Sequence, residues 1–243
     1  MGERELVRRG PKGLGYEVPK STAALLHDEL RRAIIEGRFK AGQSLSESDV
    51  CRHYDVSRQP VREAFAKLAY ENLIEVLPQR GTYVRRISAR QVMQARFVRE
   101  VIEVAVVQEL ASHAGRADIV VRLRGILREQ ASVADDDRAA FNALDEAFHQ
   151  ALANGCDRDF AWQVVEDVKA QMDRVRYLSL ERETPFNLLV DQHSRIVDAI
   201  ELGDPAAAGE AVRAHLREIW RTLPEIAKQH PEAFEPDEAA PQG

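Results

Sequence analysis

The sequence predicts a mainly α protein: an N-terminal winged helix-turn-helix of three helices plus a β-hairpin wing, followed by an all-α antiparallel helical bundle. Three observations lead there. In the first third, apolar residues recur at helical spacing in three short runs, and the period then falls to two around Pro78-Gln79-Arg80-Gly81. After Ser88 no strand pattern appears. The charge divides at the same place. Residues 1–87 carry 16 basic and 12 acidic side chains, net +4, and residues 88–243 carry 18 and 28, net −10, which together give the −6 of the whole chain. The whole-chain balance argues against nucleic acid; the divided balance describes two modules with different partners.

Residues 1–20, rich in Gly, Pro and charge, read as a flexible arm. Residues 21–87 form the first domain. Thr22–Glu36 is an amphipathic helix with Leu26, Leu30, Ala33 and Ile34 on one face, ended by Gly37. Ala41-Gly42 makes a turn. Ser46–Tyr54 is a short helix in which Ser46 and Asp49 have capping-box spacing. Asp55-Val56 interrupts the chain, and Ser57 is a good N-cap for a helix over Arg58–Glu71, with Pro60 tolerated in its first turn. Val61, Phe65 and Leu68 are its inner face. Ile74–Leu77 and Thr82–Ile87 are the strands of the wing.

Residues 88–223 form the second domain, with helices expected near 89–114, 117–133, 137–153, 158–181, 186–202 and 205–222. Gly115, Asp135-Asp136-Asp137, Gly155, Thr184-Pro185 and Gly203-Asp204-Pro205 separate them. Residues 224–243, Pro- and Glu-rich, read as a fraying tail. No 18-residue apolar run spans a bilayer, and Met1–Tyr16 lacks the apolar core of a secretory signal. Cys51 and Cys156 make neither a disulfide framework nor a zinc ribbon. The expected address is the cytoplasm.

The first domain has the chemistry of DNA recognition. The third helix would enter the major groove with its N-terminal side chains at the base edges. Arg58 and Arg62, one turn apart, can each grip guanine bidentately, and Gln59 can read adenine. Ser46, Ser48 and Ser57 sit at helix starts, where hydroxyls and backbone N–H groups meet phosphates. Arg80 and Gly81 lie at the wing tip. The competing reading makes the arginines surface ion pairs with Glu63 or Glu71. These residues resemble the DNA-binding domain of GntR-family bacterial regulators. Leu45-Ser46-Glu47, Val56-Ser57-Arg58-Gln59-Pro60-Val61-Arg62-Glu63-Ala64, Leu68 and Pro78-Gln79-Arg80-Gly81-Thr82-Tyr83-Val84 carry the likeness over about 65 residues. Ala41-Gly42 and Asn72-Leu73 stand where that family usually has Pro-Gly and Gly-Leu.

In the second domain Asp145 and His149, four apart, share a face with Phe141, Leu144, Phe148 and Leu152. His193 shares one with Ile196, Val197 and Ile200, and His215 one with Val212, Leu216 and Ile219. Burying one unpaired polar group costs about 1–3 kcal/mol, so four need partners. A divalent metal (Zn, Ni, Mn or Fe) suits these ligands; a set of separately satisfied core histidines is the alternative. Asp135-Asp136-Asp137 reads as a solvated loop and helix cap, and Trp162 and Met172 as packing.

Val98-Arg99, Ile102-Glu103, Asp145-x-x-Phe148-His149, His193-x-x-Ile196, Gly203-Asp204 and Ala214-His215-Leu216 resemble the FCD ligand-binding domain of the FadR subfamily. The resemblance implies a metal on Asp145, His149, His193 and His215, completed by a small carboxylate effector, with Arg99 at the effector's acid group and Glu103 beside it. Arg99 has a second reading, an i,i+4 ion pair with Glu103. Asp157-Arg158 replaces that family's usual Gly-Asn and is expected to alter the pocket rim. A count of six helices favours the VanR-like variant of the domain. The function expected is a ligand-responsive regulator, a repressor more readily than an activator, acting as a homodimer on palindromic operator DNA, with no membrane partner. Direct metal sensing, a metal-dependent enzyme fused to a DNA-binding module, and a constitutive DNA-binding protein stay open. No nucleophile pattern or Gly-rich phosphate loop supports the enzyme.

Overall fold

The structure, a computed structural model, describes residues 20–180 and 183–236. All but the last residue of the expected N-terminal arm therefore lies outside the described residues. Helix α1 (Thr22–Ile35) is capped by Ser21 and buries Leu26, Leu30, Ala33 and Ile34. Strand β1 (Ser44–Leu45) leads into α2 (Glu47–Tyr54), whose N-cap Ser46 accepts from the Asp49 N–H. Asp55, left-handed at φ 51°, closes α2 and starts the tight turn into α3 (Arg58–Tyr70). Ser57 stands at the N-cap of α3 but makes no side-chain cap bond, so its hydroxyl is uncommitted.

The wing pairs β2 (Ile74–Leu77) with β3 (Gly81–Val84), in register from Ile74–Val84 to Leu77–Gly81. Strand β1 adds to the other edge of β3, giving the order β1-β3-β2. Two residues with a single apolar side chain show no alternation, which is why sequence reading passes over β1. Asn72, where a Gly is more usual, takes φ 58°, a conformation Asn tolerates better than most residues. The first core joins Leu26, Leu30, Val61, Phe65, Leu68, Leu73, Ile74 and Val84.

Ser88 caps α4 (Ala89–Ser112), the long helix that opens the second domain. Then come α5 (Arg116–Ser132), α6 (Arg138–Asn154), α7 (Asp159–Val168), α8 (Ala170–Ser179), α9 (Phe186–Leu202) and α10 (Pro205–Gln229). Asp137 caps α6 by accepting from the Ala140 N–H, the role expected of the Asp triplet.

Two expectations need correction. The single helix expected over 158–181 is two, divided at Lys169, so the described part of this domain has seven α-helices rather than six. No Gly or Pro marks the division. Lys169 keeps helical backbone angles (φ −83°, ψ −8°), and its buried ammonium donates to Glu146 at 2.9 Å and Asp173 at 2.7 Å. The tail, expected from Pro224, starts later. Helix α10 continues through Pro224 because Ile219, Leu223 and Ile226 keep one buried stripe across it. Packing there outweighs the lost backbone bond. A 3-10 turn (Pro231–Ala233) follows, and Phe234, 5% exposed, packs with Ile87 and Ile226. The Ile87 N–H donates to the Ala233 carbonyl, and the Glu235 N–H to that of Ile87. Among the described residues no helix is long and apolar enough to cross a membrane.

Helix α8 joins the two domains. Ala170 lies in the core of the winged domain, while Met172 and Val175 lie in a core of the bundle. Gln171 donates to the Asn72 carbonyl and Arg174 to the Arg85 carbonyl. Arg31 of α1 donates at 2.8 Å to Asp173 of α8 and at 3.2 Å to Glu71, which also meets His27 at 2.8 Å. Burial alone would raise the Asp173 carboxyl; Lys169 and Arg31 beside it prevail and hold it at about 2.

Candidate metal centre and nucleic-acid interface

Asp145 and His149 point inward from α6, His193 from α9 and His215 from α10. All four are buried, and one ligand atom from each lies within 4.8 Å of every other. The orientation of the rings is fixed from behind. His149 Nδ1 faces Glu103 Oε2 of α4 at 2.7 Å, His193 Nδ1 meets Gln130 Oε1 of α5 at 3.0 Å, and His215 Nδ1 meets Gln192 Oε1 of α9 at 2.8 Å. Gln130 Oε1 and Gln192 Oε1 are acceptors, so the Nδ1 of His193 and of His215 carries the proton and each Nε2 keeps its lone pair, and the Glu103 carboxylate beside His149 Nδ1 favours the same tautomer there.

The three lone pairs face one another and Asp145. His149 Nε2 and His215 Nε2 are 3.2 Å apart, and His193 Nε2 is 3.5 Å from Asp145 Oδ1. Bonds of about 2.0–2.1 Å to one ion would set neighbouring ligands about 3.0–3.4 Å apart, so these separations fit a shared divalent ion. His193 Nε2 has no hydrogen-bond partner although buried. Burial first, then the neighbouring His149 and Arg176, hold His193 well below the ordinary imidazole value. Burial, then His193 and Arg176, do the same to His215. Both are therefore neutral and able to ligate at pH 7. Trp162 of α7 stands parallel to His149 at 6.5 Å and walls the site.

Arg99 is 2% exposed and donates to Glu103 Oε1 at 2.6 Å. Glu103, expected beside an effector, instead faces Arg99 with one oxygen and His149 with the other. Burial pushes its carboxyl up, and Arg99 and then His149 bring it well below the usual range. Arg158 lines no cavity at the site; it makes an exposed bidentate pair with Glu109 at 3.0 and 2.7 Å. Asp157 and Arg158 are both exposed, with Asp157 at φ 58°.

Sequence reading missed Gln130, Gln192 and Arg176. Glutamines on helices carry no pattern, although Gln192 adjoins His193. Arg176 of α8 places Nη2 3.0 Å from Asp145 Oδ1 and 3.1 Å from His215 Nε2.

At the other end of the molecule, Arg58, Gln59 and Arg62 are exposed on the first turns of α3. Arg62 makes an exposed pair with Glu47 at 3.2 Å, and Gln59 donates to Glu63 at 2.8 Å. Such exposed contacts are worth at most about 1 kcal/mol and yield readily to a stronger acceptor. No ion pair involves Arg58 among the described residues, and Glu71 is committed to His27 and Arg31. Ser46 and Ser48 hydrogen-bond each other at 2.7 Å beside the α2 N-terminus. Arg80 and Gly81 are exposed at the wing tip, where Gly81 has φ 104° and the Tyr83 hydroxyl donates to the Arg80 carbonyl at 2.7 Å.

A winged helix with a bare arginine face, joined by one helix to a bundle enclosing a polar centre, is the architecture of a DNA-binding regulator with a sensor domain. Comparison with known proteins agrees. Residues 22–84 match the bacterial regulatory proteins of the gntR family, and residues 94–218 match the FCD domain. The HTH-type transcriptional repressor RspR of Escherichia coli K12 is 37% identical over 205 residues, 84% of this chain and 90% of that protein. The gluconate operon transcriptional repressor of Bacillus subtilis is 27% identical, over 86% of this chain and 90% of its own. A crystal structure of a GntR regulator from Rhodococcus sp. RHA1 superposes with a TM-score of 0.70 at 28% identity, covering 84% of this chain and 98% of that one. The chain belongs to the GntR family, in its FCD-containing FadR subfamily: it is a DNA-binding transcription regulator and not an enzyme.

With chelator present, stability should fall as pH drops below about 6.5. The unfolded chain binds protons there that neutral His193 and His215 refuse, so the loss is at most about 1.4 kcal/mol per pH unit for each ring. Urea unfolding at pH 5.5 and 7.5 measures it; equal midpoints would show that the rings are charged in the folded state.

Proposed function

We propose that this regulator is a cytoplasmic repressor. It binds a palindromic operator as a homodimer, holds one divalent metal on Asp145, His149, His193 and His215, and changes its operator affinity when a small carboxylate joins that metal. One observation carries the reading. Glu103, Gln130 and Gln192 each tie an imidazole Nδ1, so that three Nε2 lone pairs and a carboxylate face a single point. Such backing partners are the usual companions of metal-bound histidine. The ion would supply a Lewis-acidic position for an acid oxygen. Repression is supported by the repressor relatives.

At the DNA, Arg58, Gln59 and Arg62 read base edges while Ser46, Ser48, Ser57, Arg80 and Gly81 meet the backbone. The dimer surface is the exposed apolar face formed by Phe97 and Val101, one turn apart on α4, and Trp220 of α10, which Arg96 stacks upon at 4.2 Å. The signal passes through α8. Asp173 lines the cavity beside Arg99, Asp145 and His149, and the same carboxylate holds Arg31 of the winged domain. A ligand shifts this joint only by binding its two arrangements unequally.

Purified protein should carry about one equivalent of metal per chain, lost in His149→Ala; a folded wild type that takes up no divalent ion would defeat the site. Arg58→Ala and Arg62→Ala should each weaken binding to an operator selected from random DNA by about 1–3 kcal/mol, and unchanged retention in a gel shift would remove α3 as the reading helix. Zinc should slow amide exchange in both the bundle and α1 of the wild type, but only in the bundle of Arg31→Gln. A wild-type response of α1 in that variant would exclude the Asp173–Arg31 joint as the route.

A further inference from the structure

We propose that residues 230–235, after α10, are a clasp that positions the winged domain, with Phe234 as its anchor. The clasp fixes the short connection between β3 and α4, and through it the separation of the two reading helices in the dimer. The clasp itself stands on this chain's own contacts; its effect on operator spacing rests on the homodimer reading.

Strand β3 ends at Val84 and α4 begins at Ala89, so residues 85–88 join the domains. Their backbone is held from both domains and from the C-terminal segment. The Arg85 N–H donates to the Leu73 carbonyl of the winged domain at 2.9 Å, and the Arg85 carbonyl accepts from Arg174 of α8 at 2.8 Å. Ile87 is tied differently. Its N–H donates to the Ala233 carbonyl at 2.8 Å, and its carbonyl accepts from the Glu235 N–H at 3.0 Å, in a parallel bridge with Phe234. Both backbone groups of Ile87 thus face the C-terminal segment. Buried backbone groups need such partners, and without this segment the connection would open to water to find them.

Side chains close the same joint. Ile87 and Phe234 are both buried, and they share one apolar cluster with Val92 of α4, Val175 of α8, and Leu223 and Ile226 of α10. That cluster is separate from the winged-domain core around Leu30 and Phe65, and from the main bundle core around Phe148 and Leu152. Loss of the Phe234 ring therefore empties the joint and leaves the core of each module intact. Ile87, Leu223, Ile226 and Phe234 all lie outside the matched stretches 22–84 and 94–218. The family pattern covers the two modules, and residues beyond it set how they are joined here.

A dimer of winged domains reads two half-sites at a separation set by the protein. A connection held at both Arg85 and Ile87 fixes that separation before DNA is met. A connection held at Arg85 alone must be ordered on binding, at an entropic cost, and accepts more than one separation. Phe234 is thus a positioning residue that acts through Ile87, without touching DNA.

The test uses the full chain and three variants. Phe234→Ala removes the anchor. Glu235→Pro removes the N–H that reaches Ile87 and leaves the ring. Phe234→Leu keeps an apolar anchor. Trypsin under native conditions, with fragments identified by mass spectrometry, reads the joint directly: the exposed Arg86 precedes Ile87, and cleavage there needs the connection freed. Cleavage after Arg86 should rise at least tenfold in Phe234→Ala and Glu235→Pro, and stay within threefold of wild type in Phe234→Leu. Unchanged cleavage in both disrupting variants overturns the clasp. So does an acceleration spread evenly over sites in both domains, which marks one cooperative fold and no separate joint. Operator binding reads the consequence, with an operator selected from random DNA, versions with one or two base pairs added or removed between its half-sites, and a single half-site duplex. Phe234→Ala should bind the selected operator at least tenfold more weakly, lose no more than threefold on the respaced versions, and bind the half-site as the wild type does. Unchanged discrimination between spacings, or an equal loss on every duplex, overturns the positioning role. Light scattering before DNA is added keeps the two readings apart: a monomeric wild type removes the homodimer reading and the spacing effect with it, while the trypsin rates still decide the clasp.

Discussion

Burying three imidazoles and a carboxylate at one point is the constraint on which the bundle depends. A ring nitrogen or oxygen left without a partner in this low-dielectric interior is costly, and most of those here have one. The partners come from all around. Glu103 comes from α4, Gln130 from α5, Arg176 from α8 and Gln192 from α9, while the three histidines and Asp145 ride on α6, α9 and α10. Six of the seven helices thus place a polar side chain in one network, and the seventh contributes Trp162 as a wall. Apolar packing alone would permit these helices to slide past one another. A centre with directional partners permits one register, which is a known use of buried polar groups.

The same need for partners ties the sensor to the winged domain. Lys169, Asp173 and Arg31 form a buried chain with Asp173 at its middle, flanked by Glu146 on Lys169 and Glu71 on Arg31. Asp173 faces the centre's cavity, and Arg31 belongs to the helix packed against α3. Ala170 is buried in the winged domain's core, two residues before Met172 in the bundle's. A displacement of α8 therefore cannot be absorbed by a flexible linker. It must either distort the winged domain or carry it along, and carrying it along needs less strain because interiors are close-packed.

Much of this was legible in the sequence, and the reason differs by element. The winged domain could be read because its helices are short, capped and bounded by turn residues, and because Arg58 and Arg62 stand at one helix start. The inward placing of Asp145, His149, His193 and His215 could be read because helical spacing puts each among apolar neighbours. What could not be read was long-range. Gln130 and His193 are 63 residues apart, Arg176 and His215 are 39, and no local pattern foretells either pair. The division at Lys169 has no breaker residue; it falls where a buried ammonium is held by Glu146 of another helix. Pro224 misled in the opposite direction, since a stop signal was overridden by the stripe of Ile219, Leu223 and Ile226 that was itself in the sequence.

The charges around the centre explain why a site of this make-up would respond to an acid. Glu103 is matched by Arg99, and Asp173 by Lys169 and Arg31. Asp145 is matched by Arg176. Counted with neutral imidazoles, the centre is balanced or slightly positive while Arg176 occupies it. A divalent ion held by the four residues would add two charges without adding an anion. The surplus is held in a place with little water, where it cannot be screened as it would be at the surface. A ligand that brings negative charge would close that balance, as would hydroxide formed from a metal-bound water, whereas a cationic metabolite would deepen it.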